Sequence, residues 1–270
     1  MEAIGPRLPP TVITLTTDFG WTELPSAMRG VIRHIAPPGT EVVDINHGVP
    51  PQDIIQGAYA MLTVCPIFKA AIHIGVVDPG VGTKRRAVLI EAGDGYLVGP
   101  DNGLLSPLAH RLGLKRVIAL SNAKYWRAPI SATFHGRDIF APVAAHLAGG
   151  VAPEAMGSEV DGLVNLPAFE ANDDGKAIHG SVINIDPFGN LVTSIHARLA
   201  LDMLESGEPI DARIAGRRAR IHPVSAYGEI AGKAFGVLAN SSDFLEIAVH
   251  SGSAVERLGA RTGDPVEFRR

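Results

Sequence analysis

The segment Ala71-Ile72-His73-Ile74-Gly75-Val76-Val77-Asp78-Pro79-Gly80-Val81-Gly82-Thr83-Lys84-Arg85-Arg86 decides how the chain is read. Ala71 to Val77 carries the β-branched content of a strand buried on both faces. The apolar run stops at an acid, passes through a Gly/Pro turn and leaves through paired cations into Ala87-Val88-Leu89-Ile90, which reads as the following strand. Pro79 fixes its own φ, and Gly80 and Gly82 permit positive φ or close approach by a ligand. Asp78 and Arg85 can converge across the mouth of this turn. Taken alone, the segment suits a ligand site on a rigid scaffold, and it equally suits a capped hairpin turn with solvated cations.

Upstream, Val12 to Thr16 reads as a strand. Met28, Val31, Ile32 and Ile35 share one face at helical spacing, and Ala36-Pro37-Pro38-Gly39 ends that helix. Glu41 to Ile45 is a second strand and Asp53 to Leu62 is helical by content. This βαβαβ order predicts an α/β domain with a mainly parallel sheet sandwiched by helices. Ligands in such sheets gather at the carboxyl ends of strands. Asp18 follows the first strand, Asn46 and His47 the second, and Asp78 ends the third.

Downstream, Ile139, Phe140, Val143, Ala144 and Leu147 predict a helix over 139–147, preceded by Thr133-Phe134-His135-Gly136-Arg137-Asp138. His135 then stands at a helix N-terminus, which disfavours imidazolium; a neutral ring there can accept a proton or hold an anion through its N–H. A hydrogen-bonded turn histidine is the alternative. After Pro167 the pattern changes, and Glu170-Ala171-Asn172-Asp173-Asp174-Gly175-Lys176 reads as a linker. Beyond it, short runs at 181–185, 190–195, 212–214, 217–221, 234–238, 244–249 and 265–268 predict strands of a small sandwich or barrel. Two domains follow: 1–172, α/β, and 173–270, β-rich.

Composition supplies the bounds. In 270 residues, 46% hydrophobic, there is material for a full core, and 24 basic against 28 acidic residues (net −4) gives no long-range field for nucleic acid. A small-molecule partner is expected instead. The apolar runs are short and no secretory leader pattern opens the chain, so no membrane association and a cytoplasmic location are expected. Cys65, the only cysteine, permits no intrachain disulfide and reads as a buried small hydrophobe. Several motifs point nowhere. Asp18-Phe19-Gly20 copies a kinase triplet without the other kinase segments, and Gly80-Val81-Gly82-Thr83-Lys84 fits neither phosphate-loop nor dinucleotide spacing. The histidines lack zinc-helix spacing and Gly-x-Ser-x-Gly is absent, so neither a metal nor acyl-enzyme chemistry is indicated.

Five blocks in order do point somewhere: Thr16-Thr17-Asp18-Phe19-Gly20, the 78–86 turn, Gly99-Pro100-Asp101-Asn102-Gly103-Leu104-Leu105, Phe134 to Asp138, and Asp186-Pro187-Phe188-Gly189-Asn190. Together they resemble the S-adenosylmethionine hydroxide adenosyltransferase family, relatives of fluorinating and chlorinating enzymes acting on the same substrate. The resemblance runs from about Ile13 to Ser253. It implies an N-terminal α/β domain, a smaller C-terminal β-barrel-like domain, and a homotrimer with sites between neighbouring subunits. It further implies hydrolysis of S-adenosyl-L-methionine to adenosine and L-methionine, with no cofactor, by a catalytic set falling on Asp78, Arg85 and His135.

Substrate contacts implied by the resemblance are Asp18 for the ribose hydroxyls, Phe188 for adenine packing, and Asp186 and Asn190 for the methionine and adenine ends. Gly136, Ser241, Glu246 and Val249 complete the implied set. The halogenating relatives carry an aromatic residue in place of Asp78, another residue in place of His135, and, in the fluorinating enzyme, a serine at Gly136, which favours the hydrolytic branch for this chain. Two departures stand out: Trp21-Thr22-Glu23-Leu24-Pro25-Ser26 replaces the family's acid and aromatic after Gly20, and Phe244 replaces a tyrosine. A halide-dependent transferase and a non-catalytic nucleoside-binding protein are the rival expectations.

Overall fold

A computed structural model describes residues 11–270. The described residues up to Asn165 form one compact unit and Leu166–Arg270 another.

In the first unit, β1 (Val12–Thr17) leads through α1 (Glu23–Ile35) to β2 (Glu41–Asn46), then through α2 (Ile54–Val64) to β3 (Ile72–Val76). Both helices start on side-chain caps. Thr22 accepts from the Leu24 N–H, and Asp53 accepts from the Gln56 N–H. Helix α1 ends where Pro37 forbids continuation, and it buries Pro25, Met28 and Ile32. Then come β4 (Ala87–Ala92), β5 (Gly95–Pro100), α3 (Ser106–Leu112), β6 (Leu114–Leu120), α4 (Ala141–Ala148) and β7 (Gly157–Val160). The seven-stranded sheet has the order β2-β1-β3-β5-β4-β6-β7.

The four strands β2, β1, β3 and β5 run parallel, and β4, β6 and β7 continue antiparallel. Ile13, Leu15, Ile72, Ile74 and Val76 pack on one face with Met28, Ile32, Val143 and Ala144 of α1 and α4. Thr14 turns to the other face and meets His73 at 2.9 Å. Cys65 is fully buried, and burial pushes its thiol up to about 12, so it behaves as a small apolar side chain. Because β2 and β3 lie on opposite sides of β1, the chain reverses its winding direction there. That reversal opens a crevice at the carboxyl ends of β1 and β3, where Thr17 and Val76 are register partners and Asp18 and Asp78 emerge side by side.

The 78–86 turn is not a hairpin. Strand β5 sits between β3 and β4, so the turn crosses the end of a third strand before β4 runs back.

The second unit contains β8 (Asn172–Asp173), β9 (Ala177–Ile185), β10 (Leu191–His196), α5 (Leu201–Ser206), β11 (Ile210–Ile214), β12 (Arg217–Pro223), β13 (Phe235–Ala239), β14 (Phe244–Val249), α6 (Ala254–Leu258) and β15 (Pro265–Arg269). The order β10-β14-β13-β12-β11-β15-β9 closes on itself through the β9–β10 pairing, giving a seven-stranded barrel with β8 as an appendage. Closure removes the exposed edges such short strands would present. Strand β11 shows the alternation: Ile210, Ala212 and Ile214 point into the barrel, while Asp211 and Arg213 face out.

Candidate active site

The turn after β3 is held by its own backbone and by Thr83, whose hydroxyl donates to the Gly80 carbonyl at 2.7 Å and accepts from the Arg85 N–H at 3.3 Å. This folding brings Arg85 back over Asp78. Its Nε lies 2.8 and 3.0 Å from the two carboxylate oxygens, and Nη2 also donates to Oδ2. The same Nη2 lies 2.9 Å from Nδ1 of His135. The ring of Phe140 lies 5.4 Å from the guanidinium carbon. The side chains of Asp78 and Arg85 are only 5% and 11% exposed, so this is a buried, directional ion pair. The three residues proposed from sequence therefore meet.

Their protonation follows from the geometry. A guanidinium can only donate, so Nδ1 of His135 accepts and the ring proton is assigned to Nε2. Burial, followed by the Arg85 cation, holds the His135 pKa below its ordinary value, against the opposing charges of Asp78 and Asp138. The ring is neutral near pH 7.

His135 is placed by a helical entry that begins with a wide turn. Gly136–Phe140 is a π-helical turn in which the Ala141 N–H reaches back to the Gly136 carbonyl. Asp138, fully buried, anchors it: Arg137 and Arg127 donate to its carboxylate, and so does the Ser131 N–H. Burial alone would raise that carboxyl, yet these donors hold it below the usual carboxylate range. Asp138 was legible only as part of a motif; its anchoring role was not. The block from Gly99 to Leu105 braces the turn from the other side. Asn102 donates to the Val77 carbonyl at 2.8 Å, and Asp101 takes Arg86 Nε at 2.8 Å, so Arg86 is structural while Arg85 pairs with Asp78 and His135.

A cavity of about 410 Å³ opens at this point, lined by Asp18, Phe19, Leu24, Gln52, Val76, Asp78, Phe134, His135 and Gly136 among others. Phe19 and Phe134 meet edge to face at 5.7 Å. A Cβ on Gly136 would lie 3.1 Å from Met28 Sδ and 3.5 Å from both rings, so the absent side chain lets these apolar groups close around the cavity. Asp18 accepts the Gln52 N–H at 2.8 Å. Asn46 and His47, also at strand ends, are not in the lining. His47 is fully buried, bonded to Thr17 at 2.9 Å, and its carbonyl accepts the Gly20 N–H; it braces the Asp18 loop.

Gly82 ties the turn to the His135 segment. Its φ is +76°, and a Cβ there would strike the Ala132 carbonyl oxygen. Gly82→Ala is expected to destabilise the protein by about 1–2 kcal/mol and to lower turnover by separating Arg85 from His135. Thermal melting and steady-state kinetics on the same preparation check both effects.

The remaining predicted residues lie in the barrel unit. Asp186 caps its own turn, accepting from the N–H groups of Phe188 (2.9 Å) and Asn190 (2.8 Å) and from Asn190 Nδ2 (2.9 Å). Phe188 is thereby held 79% exposed. With Asn190, Tyr227, Val249 and His250, these residues line a second cavity of about 530 Å³. Glu246 is buried beside it and accepts the Tyr227 hydroxyl at 2.7 Å. Burial pushes its carboxyl up, and the charge of Asp186 adds to that, against the hydrogen bonds from Tyr227 and Asn240. Ser241 stands exposed in the turn before β14 and is in neither cavity lining.

The family model for the SAM hydroxide adenosyltransferase N-terminal domain matches residues 13–157, and that for the C-terminal domain matches residues 180–267. The chain belongs to the SAM hydroxide adenosyltransferase family. Within this family it is 39% identical to a protein of Salinispora tropica named (R)-S-adenosyl-L-methionine hydrolase, over 93% of this chain and 95% of that one. A Thermus thermophilus protein of the same name is also 39% identical, over 93% and 97%. A protein of Actinoplanes sp. named fluorinase is 29% identical over 68% and 72%. Among solved structures, an uncharacterised conserved protein from Thermotoga maritima superposes with a TM-score of 0.85 at 32% identity, covering 96% of this chain and all of that one. Among the described residues, no helix is long and apolar enough to cross a membrane.

Proposed function

We propose that this protein hydrolyses S-adenosyl-L-methionine to adenosine and L-methionine. The observation carrying this reading is the convergence of Asp78, Arg85 and His135 beside a cavity that also holds Asp18. Curated relatives named for this hydrolysis support it.

Water attacks the ribose C5′ in line with the C5′–S bond. The new C–O bond forms as the C–S bond breaks, and its electron pair neutralises the sulfonium to the thioether of methionine. Arg85 supplies positive charge for the hydroxide character developing on the water. His135, neutral and protonated on Nε2, offers a donor that orients the water oxygen. Asp78 is the acceptor for the proton, because the imidazole lone pair is already occupied by Arg85. Asp18 accepts from the ribose hydroxyls, while Asp186, Phe188, Asn190, Glu246, Val249 and Ser241 serve the adenine and amino-acid ends. The leaving group carries its own charge, so the reading calls for no resident metal or redox cofactor.

A carboxylate at this wall also repels a halide, which supports water over halide as nucleophile. The site residues fall into two groups, each on its own unit, and assembly as a homotrimer with sites between neighbouring subunits is part of the proposal, as is action in the cytoplasm.

The relatives' names specify the R configuration at sulfur. Incubation with resolved R and S epimers, with and without chloride, followed by chromatography, is expected to yield adenosine, faster from the R epimer and indifferent to chloride. A 5′-chlorinated nucleoside, or bound but unchanged substrate, would replace the proposal with one of its rivals.

A further inference from the structure

Gln52 adopts φ +66°, a left-handed conformation that glycine takes freely and a side-chain-bearing residue takes only under strain. Strain of this kind concentrates at ligand clamps. Gln52 is on the wall of the 410 Å³ cavity with Asp18 and Asp78. The twist aims its backbone N–H at Asp18 Oδ2, 2.8 Å away, which fixes the rotation of that carboxylate and leaves Oδ1 to a ligand. The Gln52 side chain is exposed, and its carboxamide makes no hydrogen bond among the described residues. Its neighbours are both fixed: Pro51 by its ring, and Asp53 by capping α2.

We propose that the Gln52 carboxamide reads one hydroxyl of the ribose diol that Asp18 holds, making Gln52 a determinant of specificity for ribonucleosides. The inference rests on the nucleoside reading of the cavity. Each hydroxyl of the ribose cis-diol is both donor and acceptor. A carboxylate oxygen only accepts, whereas a carboxamide offers an N–H and a carbonyl, so it fits a hydroxyl whichever way that O–H rotates. Because Gln52 sits at an exposed rim, the discrimination is that of a single neutral hydrogen bond, about tenfold, rather than that of a buried polar group left unpaired.

Calorimetric titration of the full chain with adenosine, 2′-deoxyadenosine and 3′-deoxyadenosine tests this. Gln52→Ala is expected to weaken adenosine binding about tenfold while leaving one of the two deoxynucleosides within about twofold, since the lost partner is already missing there. Gln52→Gly relieves the left-handed strain, keeps the N–H to Asp18, and is expected to give the same pattern. Unchanged adenosine affinity in both variants, or equal weakening of all three nucleosides, would overturn the inference. Turnover of S-adenosyl-L-methionine by the unmodified protein is read in parallel. Its absence sinks the hydrolytic reading and leaves the binding comparison to decide Gln52; its presence with no nucleoside discrimination overturns the Gln52 assignment alone.

Discussion

Asp78→Ala is expected to lower adenosine formation by about 10³-fold, within the range of a well-placed general base. Two losses coincide. The water loses its proton acceptor, and Arg85, only 11% exposed at its side chain, loses the carboxylate that neutralises it. An unpaired buried cation costs about 3–5 kcal/mol, so the variant is also expected to melt at lower temperature. Asp78→Asn separates the effects. The amide keeps the shape and one acceptor oxygen for the guanidinium, so stability is expected to recover in part while turnover stays low, because a neutral amide takes no proton. Turnover that recovered with stability would assign Asp78 to positioning Arg85 and remove it from proton transfer.

The sequence carried the local patterns and missed what depends on long-range pairing. Ile72–Val76 was legible as a doubly covered strand because nothing polar interrupts it except His73, and His73 finds Thr14 across the sheet. The strands of the barrel were legible from alternation, as in β11, where period-two burial is complete. What periodicity cannot say is which strand pairs with which. The insertion of β5 between β3 and β4 turned an apparent hairpin into a crossing turn, and closure of the barrel rests on β9 pairing with both β10 and β15.

The site shows the same division. Asp78 and Arg85 were legible from seven-residue spacing across a Gly/Pro turn, whereas the bond from Arg85 to His135 spans fifty residues and was reached only through resemblance. The π-helical turn at Gly136–Phe140 was hidden because apolar spacing from Ile139 onward reads as ordinary helix. Gln52 carried no signal at all: its distinction is a backbone angle that its residue type gives no reason to expect.

Arg85→Lys preserves the charge at the centre of the triad and is nonetheless expected to cost about 10²-fold in turnover. A guanidinium binds Asp78 through Nε and Nη2 and reaches His135 with the same Nη2, a planar fork that an ammonium on a flexible stem cannot reproduce. The pH profile distinguishes loss of the fork from a general loss of packing. In the unmodified protein, burial and then the Arg85 cation hold the His135 pKa below its ordinary value of about 6.5, so the acid limb of activity is expected below that pH. The linkage has a definite sign. A histidine whose folded pKa is depressed contributes stability that is present above its unfolded pKa and is lost as pH falls from there through the folded value. With lysine, Nδ1 is no longer covered by a fixed donor, the ring takes its second proton more readily, and the acid limb is expected to move toward higher pH. A limb that stays in place while turnover falls would mean that burial and the positive charge, both kept with lysine, set the protonation of His135, and that the fork serves only the water.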